Sequence, residues 1–559
     1  MASQTKKITV TLFIFGSLLY FLSSMKEIGN FYQTGHAGFI NAEVGLSHLN
    51  TINNGFIKTK FGATNYRVIH DRAPTVDEYY VRYPYLHNLL VSALWKITGP
   101  SEIATRLFMI ILVFASIVVM GRVSKEMGYP PLATSLVFFT LCCLPVFYHY
   151  SGLSNGEISS LLTLSLALLA YVKINREKSP EHRILFLIFL SLSCQLFWYG
   201  YIAALVFFLD ALLASVFNKD KASARMSVWI PIAVAVNLAV YILHTVWLVG
   251  SIDRVVGAFL WRSGLKVPET QQFTLIDFVI KNLKRWWLLN PVAIVLAAAF
   301  LVTLLLGKKR LRGQTLNVRI LIILLLAPII FMIVLSHLVQ YHDFLIIYFS
   351  PFLALASASL ISRSLDTLGP HKRGLLLGSI IALMVIFAIF GLFKEPEEKL
   401  IDKETNNYEL YYVLKVVRNL TQPGDRFLIT IKRVQEPQVS FYLRRDAYFN
   451  KVLPWAKGYI DSGKFNYYLV ENKLLYRPLI KYLLQNYRGY KFDRYFLFSV
   501  DKSGTGLQVF HRTTEETDCL YKYFVSPHHQ PGGFEDVTNS RILEQINERY
   551  SRVRDLEFN

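Results

Sequence analysis

"TRLFMIILVFASIVVMGRVSKEMGYP", residues 105–130, sets the terms for the whole chain. From Leu107 to Met120 nothing is charged, and with its flanks (103–121) the run matches the roughly 20 residues a helix needs to cross a ~30 Å hydrocarbon core. Arg122 and Lys125 follow at once, the pattern of a cytoplasmic flank. The composition agrees: 559 residues are 53% hydrophobic and only 18% charged, more apolar than a soluble domain of average usage.

Working outward, similar runs recur at roughly 8–24, 103–121, 131–149, 156–172, 184–198, 201–217, 228–249, 290–306, 320–336, 343–362 and 375–393. They predict a polytopic α-helical membrane protein with about eleven transmembrane helices. The fifth and sixth are separated only by "WYGY" and also fit one long buried hairpin. The first run is followed by "SSMKEIGNFY" without a small-x-small site, so it reads as an anchor.

The N-terminus and every second loop ("GRVSKEMGYP", "KINREKSPEHR", "NKDKASAR", "GKKRLRGQTLNVR", "RSLDTLGPHKR") hold 19 Lys or Arg against 5 acids, and three intervening loops hold none. By the positive-inside rule the N-terminus is cytoplasmic and the C-terminal region extracytoplasmic, in an inner or plasma membrane. The same surplus accounts for most of the formal +20 charge and makes a nucleic-acid partner unnecessary. Cys142, Cys143 and Cys194 lie in spans as small apolar fillers, and Cys519 alone is external, so no disulfide framework is expected.

Two outer segments matter besides the tail, 25–102 and 250–290. In the first, "GHAGFINAEVGLSHL" (35–49) places Glu43 between His36 and His48, and Ile40, Val44, Leu46 and Leu49 recur at near-helical spacing, predicting a short interfacial helix. Further on, Pro84 opens and Gly99 with Pro100 closes a second one, with an apolar stripe at Leu86, Leu89, Leu90, Ala93, Leu94 and Ile97. Arg82 stands just before it, where a guanidinium and a helix N-terminus both favour an anion. In the second segment Arg262 is a phosphate candidate, while Lys284 and Arg285 beside tryptophans read as an interfacial belt.

The order and spacing of "GHAGFINAEVGLSHLNTINNGFIKTKFG", "YPYLHNLLVSALWKITGPSEIATRLF" and "GLSNGEISSLLTLSLALLAYV" resemble the GT-C superfamily of membrane glycosyltransferases, in the branch of protein O-mannosyltransferases and lipid A aminoarabinose transferase. The resemblance covers about the first 175 residues and the rest by topology. It implies an enzyme that passes a sugar from a polyprenyl-phosphate carrier to an extracytoplasmic acceptor. It places Glu43 near the first-loop acid, the general base, Glu157 near a second acid, and Arg82 at the carrier phosphate. Asn41 and His36 are then expected at the acceptor or sugar. The chain departs from the pattern in having "NAE" for an Asp-Glu pair and "RYPYL" for a doubled proline. "YHDFLIIYFSP" replaces a late Arg-Tyr, leaving His342 as the nearby cation for the phosphate.

The chemistry of these residue types fits those roles. Displacing a phosphate from an anomeric carbon needs a base near the attacking hydroxyl and cations on the leaving oxygen. The bland alternatives stay open: Glu43 as a solvated helix face, Glu157 as a favourable first-turn acid, Arg82 as a snorkelling cation. His36, His48, His70 and His87 share a side with Asp71 and Glu43 and raise a divalent cation, but their spacing matches no tight ligand pattern, so neither cofactor nor metal ligands are assigned. A lipid transporter or flippase, or an inactive GT-C-like assembly protein, is the competing class; a transporter calls for repeated halves and mid-membrane charges, and Asp210 is the main in-span acid.

The chain thus divides at about 395 into a transmembrane domain, 1–395, and an extracytoplasmic α/β domain, 396–559. In the latter "DRFLITI", "VSFYLRRDAYF", "YYLVEN", "RYFLFSV" and "GLQVFHR" read as strands, and "YELYYVLKVVRNL" and "YRPLIKYLLQNY" as helices.

Overall fold

The computed structural model describes residues 2–26, 28–29, 36–64, 67–70, 72–268, 272–306, 315–394, 396, 408–431, 436–450, 455–471, 477–492, 495–503, 506–510 and 534–536. Asp71 and Cys519, singled out above, lie outside them. Two compact units emerge, the first from Met1–Asn30, Gly35–Thr64 and Pro74–Lys403. The second takes Glu404–Asn559 together with Asn65–Ala73 of the first loop.

The first unit is helical: α1 Ala2–Met25, α2 His36–Asn54, α3 Leu86–Thr98, α4 Glu102–Glu126, α5 Pro131–Cys142, α6 Pro145–Tyr150, α7 Gly156–Glu177, α8 Pro180–Leu196, α9 Tyr199–Asn218, α10 Lys221–Val249, α11 Asp253–Arg262, α12 Leu275–Arg285, α13 Pro291–Leu306, α14 Thr315–Val334, α15 Ser336–Tyr341, α16 Ser350–Asp366 and α17 Pro370–Phe393. Local chemistry sets many of the boundaries. Ser101 caps α4 through the Ala104 N–H, Asn155 caps α7 through Ile158, and Asp220 caps α10 through Ala222 and Ser223. Proline opens α5, α6, α8 and α17, where its missing N–H is no loss.

Eight of the described helices are long and apolar enough to span a membrane: α1, α4, α7, α9, α10, α14, α17, and α16 with its leading 3-10 turn. The sequence predicts about eleven, and the difference lies in three runs that form shorter helices. The run at 131–149 breaks at Cys143–Leu144, because Pro145 restarts the helix as α6. α5 is then 12 residues, about 18 Å. α8 has 17 residues and α13 has 16. The segment Leu275–Leu289 meets α13 at a bend of 106°, and the two together make a candidate ninth, broken span.

Breaks inside hydrocarbon need internal partners for their freed carbonyls. Asn290, at the 106° corner with φ +57°, donates its side-chain amide to the Cys143 carbonyl (3.2 Å) and the Met384 carbonyl (3.0 Å). One side chain therefore answers the break between α5 and α6 and ties it to α17. Elsewhere the bundle is joined by small polar contacts: Ser116 and Ser165 hydroxyls 2.8 Å apart between α4 and α7, and the Tyr20 hydroxyl on the Ile110 carbonyl at 2.9 Å.

Toward the C-terminal end of α7, Asp210 of α9 takes two bonds from Arg319 of α14, Nε at 2.9 Å and Nη2 at 2.7 Å, and a third from the Tyr171 hydroxyl at 2.5 Å. The in-span acid is thus a brace among three helices.

In the second unit β1 Arg426–Thr430, β2 Asp446–Phe449, β3 Tyr467–Glu471, β4 Tyr487–Phe492, β5 Tyr495–Ser503, β6 Gly506–Phe510 and β7 Phe534–Asp536 form one mixed sheet in the order β2-β1-β3-β5-β4-β6-β7. β1 runs parallel to both β2 and β3, while β5 is antiparallel to β3 and β4. The predicted strand "VSFYLRRDAYF" is corrected: Glu436–Leu443 is a helix buried along nearly its whole length and only Asp446–Phe449 is strand. A continuous apolar run reads the same for a buried helix and a buried strand. The first loop contributes Val68 and Ile69, both buried, and His70, whose Nε2 lies 3.4 Å from the Arg444 carbonyl.

Removing one side of the Asp210 pair leaves a buried charge without its partner, so Asp210→Leu should destabilise by about 3 kcal/mol, and Asp210→Leu with Arg319→Leu by much less. Thermal unfolding in detergent checks this; equal losses in both variants would show that the brace carries nothing.

Candidate active site

α2 is longer and more enclosed than the short surface helix the periodicity predicts. From Asn41 to Asn50 every residue but Val44 is buried, so Glu43, 8% exposed, is no solvated face residue. α3 turns its hydrogen-bonding side inward. His87, Asn88, Val91, Ser92 and Trp95 are buried, while Leu90 and Ile97 of the predicted apolar stripe are exposed, the reverse of a helix in water.

A buried polar zipper joins these helices. Asn88 Oδ1 accepts from the Ser47 hydroxyl at 2.7 Å and from His48 Nδ1 at 3.0 Å, and Ser92 Oγ lies 3.3 Å from the same nitrogen. His87 bridges to α7, with Nδ1 2.8 Å from Ser159 Oγ and Nε2 3.2 Å from Ser154 Oγ. Asn41 accepts the Ser154 N–H at 2.7 Å, tying α2 to the turn that launches α7. Burial holds both imidazoles well below their ordinary range, His87 at about 3. They are neutral struts.

This frame delivers two carboxylates. Burial and, after it, the Glu43 charge hold the Tyr80 phenol well above its usual range. Glu157 is buried in the first turn of α7, and its backbone carbonyl accepts the Tyr348 hydroxyl at 2.9 Å. Gly156 makes that turn possible, because a Cβ there would meet the Leu196 carbonyl oxygen at 2.2 Å.

Arg262, the last residue of α11, is 4% exposed. Its guanidinium covers the Tyr83 ring at 4.2 Å, its Nη1 is 3.5 Å from the Arg82 carbonyl, and its buried Nε has no partner among the described residues. Burial opposes its charge, but Tyr83, Tyr80 and Glu157 more than offset this and hold the guanidinium above its usual range. The charges of Glu157 and Arg262 both act on the Tyr83 phenol. Arg82 is exposed, with its own guanidinium 5.5 Å from the Tyr80 ring. Asn41, Glu43, Arg82, Glu157 and Arg262 therefore share one cluster, linked through Ser154, Tyr80 and Tyr83.

Other candidates fall differently. His36 is the first residue of α2, two turns ahead of Glu43, and its side chain lies outside the described set. His342 caps the C-terminal end of α15 with its ring 5.1 Å from Phe344. Arg285 is no belt residue: it is buried and donates to the Val339 carbonyl (2.6 Å) and the Gln340 carbonyl (2.9 Å). Among the described residues no three His, Cys, Asp or Glu side chains converge as a metal-ligand set. Sequence reasoning missed Tyr80 and Tyr83, although their i, i+3 spacing around Arg82 in "YYVRY" was open to reading. It also missed Asp343, which accepts the Tyr150 hydroxyl.

The chain matches no protein-family model and no curated protein sequence. Among solved structures it resembles ArnT from Cupriavidus metallidurans bound to undecaprenyl phosphate, with TM-score 0.57, 11% identity, and coverage of 89% of this chain and 98% of that one. The apo state of ArnT gives 0.55 at 11% identity, covering 88% and 97%. The likeness shows that the chain shares the overall fold of ArnT.

The neutral histidines make stability depend on pH with a definite sign. Unfolded histidines take up protons near pH 6.5 and His87 in the fold only near pH 3. Stability should therefore fall as pH drops from 6.5 toward 3, by about 1.4 kcal/mol per pH unit per histidine. Thermal unfolding at pH 7 and pH 5 should show this drop in the wild type and a shallower one in His87→Gln; identical slopes would contradict it.

Proposed function

We propose that the chain is a membrane glycosyltransferase that moves a sugar from a polyprenyl-phosphate carrier to a hydroxyl acceptor on the extracytoplasmic side. The observation that carries this reading is Arg262: a buried guanidinium with an unpartnered Nε, within the field of Glu157, in the fold that ArnT presents to undecaprenyl phosphate. The charge segregation of the loops supports an outward-facing site, since the cluster gathers at the helix ends remote from the Lys- and Arg-rich loops.

In this reading the isoprenoid tail stays in lipid and its phosphate lies at the bundle end, where Arg262 meets the charge growing on the leaving oxygen. A guanidinium suits that task because its donors match phosphate geometry. Arg82, exposed beside it, adds a second cation at the mouth, and His342, at the C-terminal end of α15, is a further cation candidate. Glu43 is the general base that takes the acceptor proton, because Glu157 lies in the field of the Arg262 charge. Asn41, with its oxygen committed to Ser154, places Glu43 rather than gripping the acceptor. His36 opens the same helix and flanks the acceptor side. A transporter has less to use here, since Asp210 is fully engaged by Arg319 and Tyr171.

Membranes bearing the protein and supplied with radiolabelled polyprenyl-phosphate sugars should transfer label to an endogenous acceptor. Glu43→Gln should lower the rate by about 10²- to 10⁴-fold at unchanged expression. Unchanged transfer in that variant would reject the base, and no transfer by the wild type from any donor would reject the enzyme.

A further inference from the structure

One surface of the second unit carries a row of aromatic residues that the membrane cluster does not use. β1 runs parallel to β2 and β3, and β5 is antiparallel to both β3 and β4, so β1 to β4 all begin at one end of the sheet. Arg426, Asp446 and Tyr487 are the first residues of β1, β2 and β4, and Phe465 stands two residues ahead of β3. Tyr448 is in register with Leu428, so its ring shares the face of Leu428, Tyr468 and Val470. Helices Ala456–Asp461 and Arg477–Asn486 pack on that face through Ala456, Ile460, Leu479 and Leu483.

Phenols from these elements meet in pairs. The Tyr448 and Tyr459 rings are 5.2 Å apart with their hydroxyls at 3.1 Å, and Phe465 backs them at 5.8 and 6.5 Å. Tyr482 donates to the Asp461 carboxylate, so in its 3.2 Å contact with the Tyr487 hydroxyl it is Tyr487 that donates. Trp455, 62% exposed, stands four residues ahead of Tyr459 on the same side of its helix. Among the described residues of this unit the exposed large apolar side chains are Leu420, Tyr448 and Trp455, and two of the three belong to this row. Charged groups alternate with the rings: Arg426 lies 3.5 Å from Asp446 and over Phe465, and Lys457 lies over Tyr482, the ring that Asp461 holds.

The chemistry of the row selects its partner. Two acids and two cations cancel, so there is no surplus charge for a polyanion or an anionic lipid surface. A protein hot spot calls for a packed apolar centre, and here aromatic faces alternate with charged groups. What fits is a molecule with apolar C–H faces and a rim of hydroxyls that both donate and accept. We propose that the row binds a neutral saccharide chain, with its C–H faces on Trp455, Tyr448 and Tyr459 and its hydroxyls on Asp446, Asp461, Arg426 and Lys457. The site shares no residue with the Arg262 cluster, and the inference stands whether or not the carrier reading holds.

Titration of the full-length protein in phosphatidylcholine nanodiscs, free of glycoside detergents, tests this. Maltohexaose, mannohexaose, xylohexaose and arabinohexaose are the probes, and saturation-transfer NMR reads binding. At least one should bind, and Trp455→Ala and Tyr459→Ala should each weaken it by about tenfold, the size of one strong aromatic contact. Tyr459→Phe, which keeps the ring, should lose less than Tyr459→Ala. Trp455 is exposed, so its replacement should leave the unfolding temperature near that of the wild type, which separates binding loss from misfolding. Binding of none of the four chains overturns the inference, as does wild-type affinity in both alanine variants. Heparin bound in preference to every neutral chain also overturns it, because that result marks an anion site.

Discussion

A guanidinium withdrawn from water carries a desolvation cost of several kcal/mol unless neighbours meet its charge and its donors. Arg262 is almost fully enclosed, and the arrangement around it reads as the set of groups that keeps it there: a phenol face, a backbone carbonyl, and the fields of two tyrosines and an acid. The rest of the cluster follows from that requirement. Glu157 lies close because α7 starts at a glycine that lets its first turn approach α8, and Glu43 lies close because α2 is drawn onto α3 and α7 by hydrogen bonds among Ser, Asn and neutral His side chains.

The same logic governs the membrane unit at large. Irregular backbone at membrane depth survives only where protein groups satisfy it, and the break at Cys143–Leu144 is answered by Asn290 at a second break. Near the opposite end of α7, about 21 Å along the helix from Glu157, the Asp210–Arg319 pair ties α9 to α14. Breaks and polar ties are therefore spread through the unit as structure. The unpartnered buried Nε of Arg262 belongs to the cluster that also holds two carboxylates.

Much of the fold is legible because hydropathy is a one-dimensional signal. Long uncharged runs such as 107–120 and 375–393 announce themselves, and basic loops fix their alternation. Pro145 and Asn290, which break and repair spans, lie inside apolar runs whose average hydropathy hides them. Helix 436–443 escaped for a related reason, since all-round burial erases the period that separates helix from strand. At the site, Glu43, Arg82, Glu157 and Arg262 were readable as charges in an apolar context, and they do converge. Tyr83 was not, because an aromatic residue before proline at a membrane interface looks like ordinary belt composition; only its placement against Arg262 gives it meaning.

The central claim is spatial: a polyprenyl phosphate headgroup sits against Arg262 at the bundle end that holds α2 and α3. A polyprenyl phosphate carrying a photoactivatable group next to its phosphate, crosslinked in native membranes and mapped by mass spectrometry, tests it most directly. The account predicts labelled peptides from residues 80–85 and 255–264. Label confined to the region around Asp210 and Arg319, or spread evenly along the lipid-facing helices, would contradict it.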